Sequence, residues 1–503
     1  MSLIQNRIIL IAVIFSAVMC VTVPSSSYGF QVTKTEDTND GTCSLDDCSL
    51  REAIIAANNS GAGSSIINVP AGMYWITLPG SSEDEAASGD LDITNSMTII
   101  GQGMDATIIN ALGEVFGVHD RVFHVMAPNQ TVRFENLGIY HGYTALGFGG
   151  GVLIDDALKV SLFRCHLYRN QSRAGGAIHA GNEDSNSLFD QLFITESVIE
   201  GNEAELFGGG IYINRMVLVI DRSTITDNSA LNFAGGLASD SNQIIITNST
   251  FYKNNAPSSS EIYLDGGGGD LINSTLVSSD LNVESNIYFS SSGVVSSIFA
   301  ELTFYNSIIW GACLTDTPDF LRTLGGNMGE PLNSCGFGEM DIILESDPIL
   351  LPLGDFGGVT PTAPPALGSQ AIDNGIYLAG AISAPLIDQR GVSRPQGSTA
   401  LPKWDIGSVE RPPFADVFKG HINDLRHLVE DTSIPSGFQQ GLSAKVESSD
   451  KSYNRGAFGT AINQLVALNN TVEAQREKAL TGSQADNIIF VSNKAIFVLE
   501  SKD

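Results

Sequence analysis

The sequence predicts an all-β solenoid, a parallel β-helix, with an N-terminal capping helix ahead of it and a small α-helical bundle behind it. Three observations in the 503 residues lead to this prediction. An eleven-residue pattern recurs between Val132 and Asn254, glycine clusters precede most of its copies, and the periodicity becomes helical at both ends of the chain.

The recurring pattern has apolar residues at its first, third and eighth positions, a small residue at the sixth and Asn at the last. Its four full copies begin at Val160, Leu192, Leu218 and Ile244 and end at Asn170, Asn202, Asn228 and Asn254. An earlier copy from Val132 has Gly142 in place of Asn, and a later copy from Leu302 has Ala312. Strand-like alternation with a period of 20–50 residues is typical of a solenoid.

Each copy predicts two short strands with a bend between them, because apolar residues two apart share one face of a strand. Glycine clusters at 149–151, 175–176, 208–210 and 235–236 permit tight corners, and the residues after them offer a third strand. Three strands in about 26 residues make one coil. A single coil cannot bury its apolar face alone, so neighbouring coils are expected to stack.

The four recurring asparagines, Asn170, Asn202, Asn228 and Asn254, are predicted to form a structural ladder at one corner of the coils. Asn also tolerates the left-handed conformation that a corner needs. Ligand binding is the alternative role, and their shared repeat position favours the ladder. Cys165 occupies the small inward position that is Ser in the next three copies, which indicates a buried, inert thiol.

Residues 1–29 have the pattern of a secretory signal peptide. Arg7 supplies the positive charge, residues 8–21 form an apolar run, and small residues at Ser27 and Gly29 suit cleavage before Phe30. A lipoprotein signal ending at Cys20 is the less favoured alternative. No later segment is long and apolar enough to predict a transmembrane span, so we expect an exported protein, extracellular or on a bacterial cell surface or outer membrane.

Five cysteines remain after the expected cleavage, and an exported protein meets an oxidising environment. Cys43 and Cys48 are close enough to close one loop, and Cys313 and Cys335 bracket another. Cys165 is left over in this arrangement. The connectivity is a hypothesis that spacing alone does not prove.

Residues 30–64 are predicted to cap the first coil with a short helix. Leu50, Ala53, Ile54 and Ala57 follow helical spacing, and Ser49 with Glu52 makes a capping box. Such a cap covers the apolar end and the strand edges of an open solenoid. Arg51 and Glu52 are interpreted as a solvated or capping pair and not as catalytic residues.

The hexapeptide at 48–53, CSLREA, resembles the motif of the CSLREA-type bacterial surface and secreted proteins. The GGGIY sequence at 208–212 is similar to repeats of polymorphic outer-membrane-type proteins. The resemblance implies a right-handed parallel β-helix over residues 65–410, exposed outside the cell. It does not indicate whether the protein has an enzymatic activity. Aspartates and arginines clustered between 368 and 410 are expected to close the C-terminal end of the solenoid, with metal or sugar binding as the less favoured alternative.

Residues 411–503 are predicted to form the helical domain, after the boundary at 411–413. Helical stripes include Phe418, Ile422 and Leu425, and Thr481 with Gln484 offers a second capping box. The segments 434–437, 461–465 and 480–486 resemble the FIMAH-type helical domain, which implies interaction or anchoring. His421 and His427 are interpreted as surface residues.

The charge balance is strongly acidic, with 56 acidic and 26 basic residues and a net charge of −30. Such a chain repels nucleic acid, so nucleic-acid binding is disfavoured. Acidic residues at 83–85, Asp90 and Asp92 could collect Ca²⁺, but a solvated loop is the preferred interpretation. No catalytic residue, cofactor or metal site is predicted, with Ca²⁺ left open.

The favoured function is a secreted or cell-surface binding or adhesion module for extended glycans or surface partners. A polysaccharide lyase or glycoside hydrolase is the alternative, and a structural envelope protein is a third. An enzyme would need paired carboxylates, or a base with a charge neutraliser. The best local collection of candidate residues for it is Arg164, His166, Arg169, Arg173 and His179.

Overall fold

The structure, a computed structural model, describes residues 29–61, 63–80, 83–112, 120–181, 190–240, 243–278, 286–290, 301–316, 318–366, 368–377, 385–395, 403–411, 417–430 and 433–500. The expected signal peptide, apart from Gly29, and Cys20 lie outside these residues. Cleavage and export therefore stay predictions.

The described strands form three long parallel sheets and one short one. Sheet 1 contains β4 (Leu91–Ile93), β12 (Ile178–Ala180), β16 (Ile211–Asn214), β20 (Leu237–Asp240), β23 (Ile262–Asp265), β26 (Ile287–Ser290) and β29 (Cys313–Thr315). Sheet 2 contains β1 (Gly29–Gln31), β2 (Ser65–Asn68), β5 (Met97–Ile100), β13 (Gln191–Thr195), β17 (Val217–Asp221), β21 (Gln243–Thr247), β24 (Gly269–Ile272), β27 (Leu302–Tyr305) and β30 (Leu321–Thr323). The long strands β7 (Phe123–Glu135) and β9 (Val152–Phe163) run through both sheets.

Sheet 3 lies across a bend from sheet 2. It contains β3 (Gly72–Trp75), β6 (Thr107–Asn110), β8 (Gly138–Tyr140), β10 (His166–Tyr168), β14 (Val198–Glu200), β18 (Thr224–Thr226), β22 (Thr250–Tyr252), β25 (Thr275–Val277), β28 (Ile308–Trp310), β31 (Met328–Gly329) and β32 (Ile342–Ile343). The short sheet contains β11 (Gln171–Ala174), β15 (Glu203–Phe207) and β19 (Ser229–Ala230). A helical turn of the 3-10 type spans Pro318–Phe320.

The predicted fold class is confirmed: a parallel β-solenoid is followed by a small region of four helices. Each central coil runs through sheet 1, sheet 2 and sheet 3 and returns to sheet 1 by way of the glycine corner. The apolar positions of the pattern point inward, and Leu218, Ile220 and Ile225 are fully buried in one continuous core.

The four repeat asparagines form a hydrogen-bonded ladder inside the corner after sheet 3. The backbone N–H and the side-chain Nδ2 of Asn202 both donate to Oδ1 of Asn228, at 2.9 and 2.8 Å. The same pair of bonds joins Asn170 to Asn202 and Asn228 to Asn254. Each side chain thus accepts from a buried backbone N–H that would otherwise lack a partner.

The two ends of the asparagine ladder are closed by other residues. Gly142, which replaces Asn in the earlier copy, donates its backbone N–H to Oδ1 of Asn170 at 2.9 Å. A Cβ at Gly142 would lie 1.8 Å from the Gly150 carbonyl oxygen, so no side chain fits there. At the other end Asn254 Nδ2 donates to the buried carboxyl group of Glu261.

The asparagines do not themselves adopt the left-handed conformation that Asn tolerates. The residue before each of them does so instead: Arg169 (φ 51°), Gly201 (φ 64°), Asp227 (φ 54°) and Lys253 (φ 55°). The physical reason is that the preceding residue makes the turn, which leaves the Asn side chain directed inward to reach the next coil.

A second ladder of serines lies at the bend between sheets 2 and 3, and the repeat pattern marks it only as a small position. Backbone N–H groups of Cys165, Ser197, Ser223, Ser249 and Ser274 donate to the hydroxyl of the serine one coil further on, at 3.0–3.4 Å. The last rung runs from the Ser307 N–H to Asn327 Oδ1 at 2.9 Å. In the central coils, the bends before and after sheet 3 are therefore both held by buried side-chain acceptors.

The predicted N-terminal helix is α1 (Leu50–Asn58), with the capping box of Ser49 and Glu52 in place. Arg51, however, is 1% exposed and is not solvated. Its guanidinium forms two hydrogen bonds to Asp37, at 2.7 and 3.1 Å. It also donates to the carbonyl oxygens of Ala86, Gly89 and Asp90. Arg51 thus ties the cap to the loop that precedes β4.

Both expected disulfide bonds are present, Cys43–Cys48 in the cap and Cys313–Cys335 near the end of the stack. Cys165 is free and fully buried. Burial raises the pKa of its thiol to about 12, so the thiolate that reacts with oxidants or disulfides is suppressed.

The described residues between 345 and 411, here called the side segment, pack along the side of the coils. Gln389 Nε2 donates to Thr224 Oγ1 at 2.8 Å, and Thr250 Oγ1 donates to Gln389 Oε1 at 2.6 Å. Further along, the Ser408 N–H donates to Thr275 Oγ1 at 3.0 Å. The expectation that this segment closes the C-terminal end of the solenoid is therefore wrong, since it covers neighbouring strands of sheet 3.

The four C-terminal helices are α2 (Val417–Val429), α3 (Ser436–Asn454), α4 (Phe458–Ala474) and α5 (Gly482–Glu500). They share a core with Leu351 and Phe356 of the side segment. A buried ion pair between Arg411 and Asp424, at 2.7 Å, joins the side segment to α2. His421 is buried and not on the surface as expected, and burial, reinforced by Arg411, lowers its pKa to about 4. His427 is exposed as predicted.

Among the described residues, no helix combines the length and apolar character needed to cross a membrane.

The asparagine ladder predicts a large effect for Asn228→Ala. The change leaves the backbone N–H and Nδ2 of Asn202 without their acceptor. We expect the free energy of unfolding to fall by at least about 2 kcal/mol in chemical denaturation. The control is Asn214→Ala, at the half-buried end of β16. This change should alter the free energy of unfolding by less than about 0.5 kcal/mol. Equal stability of the two variants would contradict the structural role.

Glu261 predicts a pH dependence of stability. Complete burial raises its pKa well above 4.5, so the folded state binds a proton that the unfolded state releases. Its stabilising contribution is therefore present below pH 4.5 and is lost as the pH rises. At about pH 8 the free energy of unfolding of Glu261→Gln should exceed that of the wild type by roughly 1–3 kcal/mol. At about pH 4 the two values should be nearly equal. Glu203→Gln, at an exposed position, should show no such divergence in denaturation midpoints between the two pH values.

Candidate functional site: an aromatic strip on sheet 1

In each of these sheet 1 strands one residue lies between two inward, buried neighbours and points outward. The parallel pairing aligns these outward residues from strand to strand. The row runs through Asp92, His124, Leu153, His179, Tyr212, Ala238, Tyr263 and Tyr288, each paired with the next. Neighbouring parallel strands lie about 4.8 Å apart, so the part from His179 to Tyr288 is about 19 Å long.

Aromatic rings from the glycine corners complete this row into a continuous strip. Phe148, Phe207 and Phe233 come just before a corner, and Gly149 and Gly208 turn there with a φ of 61°. A Cβ at Gly208 would lie 2.1 Å from the Ile211 carbonyl oxygen, so only glycine permits this close turn. We call the resulting set of rings the aromatic strip: Phe148, His179, Phe207, Tyr212, Phe233, Tyr263 and Tyr288.

The rings of the aromatic strip are in contact along its whole length. His179 stacks between Phe148 and Tyr212, with centroid distances of 4.8 and 5.1 Å. The Phe233 ring centroid lies 5.7 Å from that of Phe207 and 4.7 Å from that of Tyr263. Phe233 thus continues the strip across the coil in which the row has only Ala238. Tyr263 and Tyr288 stack at 4.8 Å with an interplanar angle of 8°. Phe148 is exposed, His179 is buried, and the other five rings of the strip are half-buried.

Carboxylates border the aromatic strip two residues further along each strand. Asn214 pairs with Asp240 and Asp265 pairs with Ser290, so these outward side chains form a second row. The Tyr212 hydroxyl donates to Asp240 at 2.8 Å, and the Ser290 hydroxyl donates to Asp316 at 3.1 Å. Burial, together with Asp265, raises the pKa of Tyr263 to about 12, so its hydroxyl stays protonated as a donor.

A cluster of ionisable residues lies at the N-terminal end of the same row. His124 Nε2 lies 2.8 Å from Asp155 Oδ2, and its Nδ1 lies 3.4 Å from Asp92 Oδ1 and 4.0 Å from Asp84 Oδ1. Burial disfavours the protonated ring, but the hydrogen bond to Asp155 and the nearby Asp92 carboxylate outweigh it and raise the pKa of His124 to about 9. His179, buried without such partners, has its pKa lowered to about 4.

The carboxylates behind this cluster are buried and do not reach a polymer on the surface. Asp90 and Asp92 are 3% and 0% exposed. Burial and the nearby charge of Asp120 raise the pKa of Asp90 to about 8, although Arg121 contacts it at 3.2 Å. A glycoside hydrolase needs two carboxyl groups that flank the scissile bond, and this buried pair does not meet that requirement.

Comparisons with known proteins find one distant structural likeness to report and no family. No family model matches the chain, and no curated protein matches it. Among solved structures, it is similar to the pectin methylesterase PemA from Erwinia chrysanthemi, at 13% sequence identity and a TM-score of 0.31. That match covers 64% of this chain and 94% of the other. At this level the likeness carries no argument about activity, and the CSLREA and FIMAH likenesses stay resemblances of motif.

The five residues considered for an enzymatic site do not converge. Arg164 and Arg169 lie in two successive bends of one coil, His166 lies between them in sheet 3, Arg173 in the short sheet and His179 in sheet 1. Arg164 pairs with Glu196 at 2.7 Å, and His166 lies within 3.3 Å of both Asp105 and Glu200. Outward side chains from different sheets of one coil point in different directions, which is why closeness in sequence is misleading here.

A separate cleft of about 730 Å³ lies between sheet 3, the side segment and the helices. Its lining includes Tyr252, Lys253, Phe356, His427 and Gln484. This cleft mixes apolar and charged groups without a repeated arrangement. The aromatic strip is the stronger candidate because its rings recur coil after coil in register.

Proposed function

We propose that this protein is a secreted or cell-surface binding module that holds an extended polysaccharide along the aromatic strip. The observation that carries the proposal is the chain of seven contacting rings, four from the outward row of sheet 1 and three from the glycine corners. The partly exposed aromatic surface of the strip can pack against the apolar C–H groups of sugars, and the tyrosine hydroxyls and bordering carboxylates can hydrogen-bond sugar hydroxyls. A linear polymer matches a linear row of equivalent contacts.

The charge of the surface selects among polysaccharides. Asp240, Asp265 and Asp316 border the strip, and the chain carries a net charge of −30. Anionic polymers such as uronates are repelled by such a border unless a cation intervenes. The preferred ligand is therefore a neutral polysaccharide. The two disulfide bonds suit an oxidising, extracellular location.

Three features support binding without cleavage as the primary activity. The strip has repeated, equivalent contacts, the carboxylates Asp90 and Asp92 behind its N-terminal end are buried, and the Arg164–His179 group is dispersed around the coil. A lyase or hydrolase is the alternative. It is tested by incubating the same polysaccharides with the protein, since a hydrolase would produce new reducing ends and a lyase would produce unsaturated products.

Substitution in the strip tests the proposal. Tyr263→Ala and Tyr288→Ala each remove a stacked ring, and we expect each to weaken binding of a neutral polysaccharide by about 1–2 kcal/mol, or roughly 5- to 30-fold. Binding is measured on the full chain by glycan array and by titration calorimetry.

The matched control is Tyr168→Ala, a tyrosine in a ring cluster on sheet 3 with Tyr140 and His166. Its affinity for the polysaccharide should equal that of the wild type. If Tyr168→Ala weakens binding while Tyr263→Ala does not, the ligand lies on another face and the proposal fails. No binding to any neutral or anionic glycan would also defeat it.

A further inference from the structure

The ionisable cluster at the N-terminal end of the aromatic strip has a function of its own. We propose that His124, Asp92 and Asp84 bind one divalent transition-metal ion, with Zn²⁺ as the probe. One ligand atom from each of the three residues lies within 4.8 Å of the other two. The proposal is independent of polysaccharide binding, since none of these residues belongs to the stack of rings.

The His124 ring is oriented as a metal-ligating imidazole usually is. Its Nε2 contacts the Asp155 carboxylate at 2.8 Å, while its Nδ1 faces Asp92 and Asp84. Metal-bound histidines commonly donate the other ring N–H to a carboxylate, which fixes the tautomer and leaves the facing nitrogen free to bind. Asp155 is placed to do this from β9, one coil beyond His124 in β7.

Asp92 supplies the second and independent indication. It is 0% exposed, and its Oδ2 accepts from the Ala86 N–H at 2.7 Å. Its Oδ1 is buried without a hydrogen-bond partner among the described residues, although it points toward His124 Nδ1. A buried carboxylate oxygen that lacks a donor is costly, and a cation between it and the imidazole would remove that cost.

The loop that carries Asp84 is held in place before any ion binds. Arg51 donates to the carbonyl oxygens of Ala86 and Gly89 from the N-terminal cap. Within the loop, Glu83 accepts from the backbone N–H groups of Glu85 and Ser88 at 3.0 and 2.7 Å. Asp84 itself is 71% exposed, so an ion and its remaining water ligands can enter from solvent.

The ligand set favours zinc over calcium. Ca²⁺ takes six to eight oxygen ligands, whereas an imidazole with two carboxylates and a water suits Zn²⁺. The surrounding charge also favours a dication, because three aspartate carboxylates, Asp84, Asp92 and Asp155, face the one imidazole ring. The competing arrangement is a protonated His124 that bridges Asp92 and Asp155 with no metal at all.

The test is equilibrium dialysis of the full chain, without a histidine tag, against Zn²⁺ and separately against Ca²⁺, with bound metal measured by mass spectrometry. We expect one equivalent of Zn²⁺ and no competing Ca²⁺. Asp155→Asn should weaken Zn²⁺ binding by roughly 10- to 100-fold, and His124→Gln by at least as much. Asp84→Asn, at an exposed position, tests the site without a risk to folding, and circular dichroism checks every variant.

The matched control is His166→Gln. His166 also lies between two carboxylates, Asp105 at 3.3 Å and Glu200 at 3.2 Å, but it has no third ligand within reach among the described residues. Zn²⁺ binding should be unchanged in this variant and in Tyr263→Ala. Absence of Zn²⁺ from the wild type, or equal binding by Asp84→Asn and the wild type, would overturn the metal site. Neither result affects polysaccharide binding measured in EDTA.

Discussion

The hydrogen bonds that corner side chains accept from buried backbone N–H groups are the interaction on which the solenoid depends. At the two bends that flank sheet 3, the backbone N–H groups of the ladder residues have side chains of the next coil as their acceptors. These acceptors are the asparagine oxygens after sheet 3 and the serine hydroxyls before it. A chain without these residues would have to bury unsatisfied donors at two bends in every coil.

The ladders also set the register of the coils, and the register creates the candidate ligand surface. Each rung fixes one coil against the next, so residues at equal positions lie directly above one another. A slip of a single residue would exchange inward and outward side chains in every strand. The contact between Tyr263 and Tyr288, at 4.8 Å, is a consequence of this alignment. Structural and binding roles are thus separated, with Asn and Ser inside the corners and aromatic rings on the outer face.

Buried arginines connect the solenoid to the elements that cover it. Arg51 joins the N-terminal cap to the loop before β4, Arg394 contacts Glu410 within the side segment at 3.3 Å, and Arg411 pairs with Asp424 of α2. The side segment covers Thr224, Thr250 and Thr275 on sheet 3, whereas the aromatic strip lies on sheet 1. A buried guanidinium is costly unless it is paired with a carboxylate and hydrogen-bonded, so these contacts favour one position for each covering element.

The sequence by itself determined the features that are local or periodic. The repeat from Val160 to Asn254 determined the parallel coil and its inward residues, Ser49 with Glu52 determined the start of α1, and the spacing of the cysteines suggested both disulfide bonds. Only the tertiary structure decided that the residue before each Asn takes the left-handed conformation, that the serines form a second ladder, and where the side segment lies. It also decided the candidate sites. Phe233 and Tyr263, or His124 and Asp155, come together only because successive coils stack about 4.8 Å apart. Such contacts join residues some 30 positions apart in the chain, at outward positions that the burial pattern leaves unconstrained.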